Sequence, residues 1–214
     1  MSATSSFDDR AQTWDADPVK QERAEAVATA LRRQIPLSPA WQALEYGCGT
    51  GLLSFALRAD LRRITLADSS PGMLAVLDQK IAAAGLTHLH PLALDLLTDP
   101  PPAERYDLIY TLMTLHHVAD AGRLLRIFHD LLRPGGWLGI ADLDREDGSF
   151  HGPGFTGHNG FDRDALWAQL AEAGFSRVEF CTAYVLKKMT DQGPREYPLF
   201  LAVAARPIVN GGIG

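Results

Sequence analysis

Glu45-Tyr46-Gly47-Cys48-Gly49-Thr50-Gly51 places three glycines within five residues. Ahead of it, Ala43-Leu44-Glu45-Tyr46 is a short apolar run suited to a buried strand. Behind it, Leu52 to Arg58 reads as a helix. Glycines between a strand and a helix permit a tight turn and let a ligand approach the backbone without side-chain obstruction. The N-terminus of the helix can meet an acidic group on such a ligand. A plain strand-to-helix turn would use the same glycines with no ligand. Spacing separates the ligand classes. A dinucleotide turn needs glycines at the first, third and sixth positions, which here are Gly47, Gly49 and Leu52. The third glycine comes one residue early, so a diphosphate fits poorly, and a nicotinamide-dependent oxidoreductase is the weaker reading.

The alternation continues outward. Asp17-Pro18 caps and opens a helix that runs to Pro36. Arg63 to Ala67 is a second strand ending at Asp68, and Pro71 to Ala84 a helix placed behind Ser69-Ser70 and stopped by Gly85. His90 to Leu94 is a third strand ending at Asp95, and Tyr106 to Leu112 a fourth. Ala119 to Leu132 is helical and ends at Arg133-Pro134-Gly135-Gly136; Trp137 to Ala141 is a fifth strand. Asp162 to Ala173 is a helix with an Asp cap and Gly174 as its stop. Ser176 to Leu186 and Tyr197 to Ala205 are two final strands, joined by a polar, turn-rich segment from Lys187 to Pro194. Repeated strand-then-helix units predict a parallel sheet covered on both faces. A last pair joined only by a loop predicts antiparallel pairing at the end of the sheet. The expected fold is α/β, a doubly wound Rossmann-like seven-stranded sheet, mostly parallel with an antiparallel last strand. It forms a single domain over 1–214. Residues 1–40 make an N-terminal helical cap, 145–160 a flap-like insertion and 207–214 a tail, with Ser2 to Ser6 a loose end.

Composition narrows the class. Of 214 residues, 46% are hydrophobic and 21% charged, which excludes disorder, collagen and coiled coil and supplies a sizeable core. Twenty Lys plus Arg against 26 Asp plus Glu leaves −6, without the cation surplus that phosphate contacts need, so no nucleic acid is expected. Cys48 and Cys181 are too few for a disulfide scaffold, which suits a reducing compartment, and both are expected to be packed. Met1 to Arg10 has no apolar core of a secretory signal, and no stretch approaches the ~18–20 apolar residues of a membrane span. A soluble cytoplasmic protein is expected, as monomer or homodimer.

Two acids extend the glycine loop into a site. Asp68 lies seventeen residues after Gly51 at the end of the second strand, where a carboxylate can accept both hydroxyls of a ribose. Capping the next helix is the alternative, but Ser69 or Ser70 serves that purpose. Asp95, within Leu94-Asp95-Leu96, needs a partner among apolar neighbours, and an adenine amino group would be one; the alternative is a cap for the following turn. Three clues on successive strand ends converge on one crevice, where open α/β sheets bind ligands.

These residues resemble the class I S-adenosylmethionine-dependent methyltransferases. The glycine motif, the ribose acid Asp68 and the adenine acid Asp95 match that pattern. So do the fourth-strand motif Asp107-Leu108-Ile109-Tyr110 and the segment Thr111 to Asp120 with Leu115-His116-His117. Leu132-Arg133-Pro134-Gly135-Gly136 resembles the turn before the fifth strand, and Phe7-Asp8-Asp9-Arg10-Ala11 with Trp14 the N-terminal cap. The resemblance covers roughly residues 7 to 206. Tyr46 departs from it, since many relatives carry a small or aliphatic residue there. The resemblance implies S-adenosylmethionine as cofactor, with S-adenosylhomocysteine as product. It implies binding by Arg10, Trp14, Glu45, Gly47, Gly49, Asp68, Ser69, Met73, Asp95, Leu96 and Thr111. The implied reaction is methyl transfer to a small-molecule acceptor by direct in-line displacement. The alternatives are a cofactor-binding protein without turnover, or a methyltransferase acting on RNA or protein.

Such a transfer needs alignment rather than a nucleophilic residue, and a base only if the acceptor holds a proton. His116, His117, His151 and His158 are the candidate bases or acceptor-pocket residues. The last two lie in Gly148 to Gly160, which carries five glycines, Phe150 and Phe155. That stretch reads as a mobile flap with apolar walls, or as a plain surface loop. At least one of His116 and His117 is expected to serve packing, because adjacent side chains rarely face one pocket. Four histidines near one mouth could hold zinc, copper or nickel. No i, i+4 pair is visible and the resemblance implies no metal, so none is expected. His88, His90 and Lys187-Lys188 are expected to face solvent.

Overall fold

The structure, a computed structural model, describes residues 7–190 and 193–208. The expected loose end at Ser2 to Ser6, and the tail beyond Ile208, lie outside the described residues. A short 3-10 helix, Ala11–Ala16, leads into α1 (Pro18–Gln34). There follow β1 (Gln42–Tyr46), α2 (Leu52–Leu57), β2 (Arg63–Asp68), α3 (Pro71–Ala84), β3 (Leu89–Ala93) and β4 (Tyr106–Leu112). A 3-10 turn, Leu115–His117, precedes α4 (Ala121–Leu131), β5 (Leu132–Leu143), α5 (Arg163–Glu172), β6 (Ser176–Thr190) and β7 (Gly193–Ala205).

The strands form one seven-stranded sheet in the order β3-β2-β1-β4-β5-β7-β6. Strands β1 to β5 pair in parallel, with Gln42 opposite Arg63 and Leu44 opposite Ile109. Strand β7 runs antiparallel between β5 and β6. Strand order reverses between β1 and β4, the position at which such sheets open a crevice.

The pleat of β1 sorts its side chains to two cores. Ala43 joins Val27 and Leu31 of α1, Leu53 of α2 and Leu77 of α3 on one face. Leu44 joins Leu125 and Phe128 of α4 and Leu170 of α5 on the other. The apolar residues of α4, Ala121, Leu124, Leu125, Phe128 and Leu131, recur at helical spacing and are all buried. Truncating a wholly buried ring such as Phe128 to alanine costs about 3–5 kcal/mol. Asp17, Ser70, Asp120 and Asp162 cap α1, α3, α4 and α5. Ser70, not Ser69, is the cap of α3.

Several boundaries differ from expectation. Strand β5 begins ahead of Arg133 to Gly136 rather than after it: Leu132 pairs with Tyr106, pairing resumes at Trp137 opposite Leu108, and between them Gly135 turns the chain at φ +82°. Contacts to the chain end hold it there, as Arg206 N–H donates to Gly136 O at 2.8 Å and Gly135 N–H to Arg206 O at 2.9 Å. Lys187 to Thr190 and Gly193-Pro194 are strand, not loop, with Met189 opposite Pro194. Their polarity reflects a two-stranded ribbon that extends past the covering layers and is wetted on its sides. Strand β3 begins at Leu89, one residue early. No described helix is long and apolar enough to cross a membrane.

Candidate active site

The C-terminal ends of the parallel strands carry the polar residues that sequence reasoning selected. At β1 the glycine loop bends back, with Gly47 and Cys48 N–H groups donating to Ala67 O at 2.8 and 3.0 Å. Gly47 has φ +68°, and a Cβ there would lie 2.2 Å from Thr114 Cγ2. The Thr114 hydroxyl donates to Gly47 O at 3.2 Å, so β4's loop closes directly on the glycine turn. Gly49 differs: a Cβ there would meet only the Met73 sulfur, at 3.9 Å, so the space above its backbone is open. Asp68 spans that opening. Its carboxylate accepts Gly49 N–H at 2.7 Å and Ser70 N–H at 2.8 Å, and burial raises its pKa. Ser69 beside it is exposed.

Glu45 does not open on the crevice. It is 2% exposed and accepts the Ser54 hydroxyl and, at 3.2 Å, the Ser54 N–H, while Ser54 Oγ lies 2.7 Å from the Tyr110 hydroxyl. Burial pushes its carboxyl up to about 8, so it stands protonated at neutral pH and fastens the first turn of α2 beneath the loop. Asp95 accepts the Leu97 N–H at 2.9 Å as a cap and the Tyr46 hydroxyl at 3.3 Å. The Leu96 N–H in turn donates to the Tyr46 oxygen at 3.3 Å. Tyr46, the departure from the family pattern, therefore steadies Asp95 and Leu96. Met73 and Leu96 are buried, and the buried Thr111 hydroxyl has no hydrogen-bond partner.

The N-terminal cap is tied across this edge by acids that the sequence reading passed over. Asp8 accepts Gly72 N–H at 2.8 Å and the Ser70 hydroxyl at 2.5 Å. Asp15 accepts the Thr50 hydroxyl at 2.5 Å and pairs with Lys80, whose ammonium also donates to Thr50 O at 2.7 Å. The Arg10 guanidinium lies over the rings of Phe7 and Trp14, 5.2 and 5.5 Å from their centroids.

At the ends of β4 and β5 three of the four candidate histidines meet. His116 is 1% exposed, and its Nδ1 lies 2.6 Å from Oδ1 of the fully buried Asp142. The carboxylate accepts, so Nδ1–H donates, and Nε2 is buried without a partner. His117 sets its ring edge-on to Phe7 at 5.3 Å, and His151 stacks on Phe155 at 3.8 Å. One ring nitrogen from each of His116, His117 and His151 lies within 4.8 Å of the others. Burial, then the charge His116 would carry, lowers the His117 pKa to about 3 and that of His151 to about 4. Both stand neutral at pH 7. His158 is directed elsewhere, with Nε2 3.0 Å from Val118 O.

Residues 145–160 lie against this cluster. His158 N–H donates to His116 O at 2.7 Å, and a Cβ on Gly157 would lie 2.3 Å from the same oxygen. Glu146 accepts Phe150 N–H at 3.0 Å, and Arg195 pairs with Asp147 at 2.8 Å. Phe155 walls the histidines; Phe150 meets both His151 and Tyr197. Met113, in the turn after β4, holds φ +55°. Asp142 was legible by the signal that selected Asp95, an acid at a strand end within Ala141-Asp142-Leu143. A cavity of about 330 Å³ between Trp41, Asp107, Arg133 and Ile208 opens beside the starting ends of β4 and β5, away from these groups.

Comparison with known proteins adds the following. Residues 44–138 match a family described as "Methyltransferase domain". An uncharacterized methyltransferase of Schizosaccharomyces pombe (strain 972 / ATCC 24843) is 28% identical over 152 residues, 64% of this chain and 54% of that one. A ubiquinone biosynthesis O-methyltransferase of Caulobacter vibrioides (strain ATCC 19089 / CIP 103742 / CB 15) is 33% identical over 110 residues, 48% of this chain and 40% of that one. The chain thus spans about half the length of the curated relatives it matches. Among solved structures, the N-methyltransferase NodS of Bradyrhizobium japonicum WM9, in complex with S-adenosyl-l-homocysteine, superposes with a TM-score of 0.65 at 21% identity, covering 90% of each chain.

Proposed function

We propose, from the match of residues 44–138 to the methyltransferase domain family and the fold shared with NodS, that this chain uses S-adenosylmethionine to methylate a small-molecule acceptor bearing a removable proton. Two observations support the fit of the cofactor. Open space lies above Gly49, and the Thr111 hydroxyl is buried without a partner. When bound, S-adenosylmethionine supplies an electrophilic sulfonium methyl group. Asp68 would exchange its contact with Gly49 for the ribose hydroxyls, Asp95 and Leu96 would take the adenine over Met73, and Thr111 and Gly47 would line the methionine part. Arg10 and Trp14 would cover the crevice from the 1–40 cap, with Ser69 at its rim.

The observation that carries the acceptor reading is the His116–Asp142 pair. Asp142 fixes the tautomer, and the unpartnered His116 Nε2 is the atom able to receive a proton from the acceptor. His117, His151 and Phe155 would wall the acceptor, and residues 145–160 would exclude water from it. His158 would act by holding that segment rather than by touching the reactants. The reading takes the chain as one domain, cytoplasmic and not nucleic-acid-directed, in keeping with its −6 charge. Incubation with methyl-labelled cofactor and a metabolite extract tests it. A labelled small product that disappears in His116→Ala supports it. Cofactor binding with no labelled product in any extract favours binding without turnover, and label in RNA or protein overturns the acceptor class.

A further inference from the structure

The geometry points to a divalent transition-metal site, of the zinc class, formed by His116, His117 and His151 with an open coordination position for a hydroxyl or thiol of the acceptor. This rests on the methyl-transfer reading but replaces its base: with His116 Nε2 bound to the metal, the ion would acidify the acceptor, the proton would leave to solvent, and His116 would act as a ligand rather than as the proton acceptor. Three imidazoles from two separate segments converge, one nitrogen each, within 4.8 Å. Tetrahedral zinc with nitrogen at ~2.0–2.1 Å places its ligands about 3.3 Å apart, so the rings need only draw inward. Two ring nitrogens of these residues, His116 Nε2 and His151 Nε2, are buried without hydrogen-bond partners. Leaving a buried polar atom unsatisfied is costly. A metal ion would satisfy both at once.

Asp142 occupies the place of an outer-shell carboxylate. Its Oδ1 takes His116 Nδ1 and the Leu143 N–H at 2.7 Å, and its Oδ2 takes the His116 N–H at 3.1 Å. It is therefore spoken for, and orients the ligand rather than becoming one. Among the described residues no further cysteine, histidine or carboxylate joins the group of three. A site with three protein ligands keeps a position open, the pattern of catalytic rather than structural zinc. Imidazole donors without a thiolate suit zinc, copper or nickel. A ligand at the open position that also accepts a methyl group must carry a lone pair that strengthens on losing a proton. That selects a hydroxyl or thiol over a carbon acceptor.

The test uses the full chain, stripped with a chelator and dialysed. Zinc ion is titrated calorimetrically and cobalt ion by visible absorption, each in parallel with S-adenosylhomocysteine. The expected result is one equivalent of metal per chain, weakened at least tenfold in both His151→Ala and His117→Asn and unchanged in His88→Ala, whose side chain lies on the Arg58 carbonyl. Far-ultraviolet circular dichroism checks that each variant is folded. Absence of metal binding, or binding that His151→Ala and His117→Asn leave intact, overturns the site. S-adenosylhomocysteine binding without metal binding sinks this inference alone, whereas failure to bind S-adenosylhomocysteine sinks the methyl-transfer reading.

Discussion

Asp142 grips His116 from two directions, with one carboxylate oxygen 2.6 Å from the ring Nδ1 and the other accepting the backbone N–H of the same residue at 3.1 Å. The two residues are 26 positions apart and both buried. Ring orientation at the crevice is therefore set by the end of β5, not by the turn that carries the histidine.

Asp142→Asn keeps the shape but can offer an amide N–H where a carboxylate accepted, which disfavours the tautomer that leaves Nε2 free. We expect kcat to fall about 10–100-fold, the usual cost of losing such an outer-shell partner. S-adenosylhomocysteine affinity should change less than threefold. Steady-state kinetics with calorimetry checks this, and an unchanged kcat would remove His116 from the chemistry.

Asp68→Ala should weaken S-adenosylhomocysteine by about 10–100-fold, since hydrogen bonds to a charged group are worth about 1.5–3 kcal/mol. Equal affinity in calorimetric titration of the two proteins would sink the ribose assignment.

Gly47→Ala and Gly49→Ala separate folding from binding. Both positions have positive φ, so each substitution carries backbone strain of about 1 kcal/mol. Only at position 47 does the new methyl also strike Thr114. Gly47→Ala should lower Tm by several degrees more than Gly49→Ala, while Gly49→Ala, which fills open space, should lose more cofactor affinity per degree of Tm lost. Thermal melts and titrations of both variants give the comparison; identical profiles would contradict it.

Glu45 makes stability depend on pH. Its folded pKa of about 8 lies above its ordinary value, so its contribution is fully present below about 4.5 and is lost as pH rises towards 8. Over that window the loss is on the order of a few kcal/mol. Glu45→Gln removes the titration, so denaturant melts of the two proteins should diverge with rising pH, wild type becoming the weaker. Parallel curves from pH 5 to 9 would mean that Glu45 ionises in the folded chain as it does when unfolded.

The sheet was legible because its signals are local. The glycine loop, the caps at Asp17 and Ser70 and the apolar spacing of α4 each act within one turn of chain. The final hairpin differs because Lys187 to Pro194 is polar yet paired, and its neighbours are distant in sequence: Lys188 reaches the Phe150 carbonyl and Arg195, opposite it, pairs with Asp147. Arg133 to Gly136 keeps its turn, with Gly135 at φ +82°, but β5 starts ahead of it at Leu132, where the backbone of Arg206, seventy residues on, holds the segment.

The site divides along the same line. Sequence alone puts Gly49, Asp68, Asp95 and Thr111 at the C-terminal ends of parallel strands, because strand direction and the right-handed crossover leave those ends no other place. It also placed Glu45 at the ligand, whereas burial under the loop made that residue a fastening of α2. Which histidines act together depends on contacts distant in sequence. His116 and His117 are joined by His151 because residues 145–160 fold back onto the end of β4, while His158 is drawn away to Val118. Such a contact depends on the path of a glycine-rich segment through space, and no periodicity records that path.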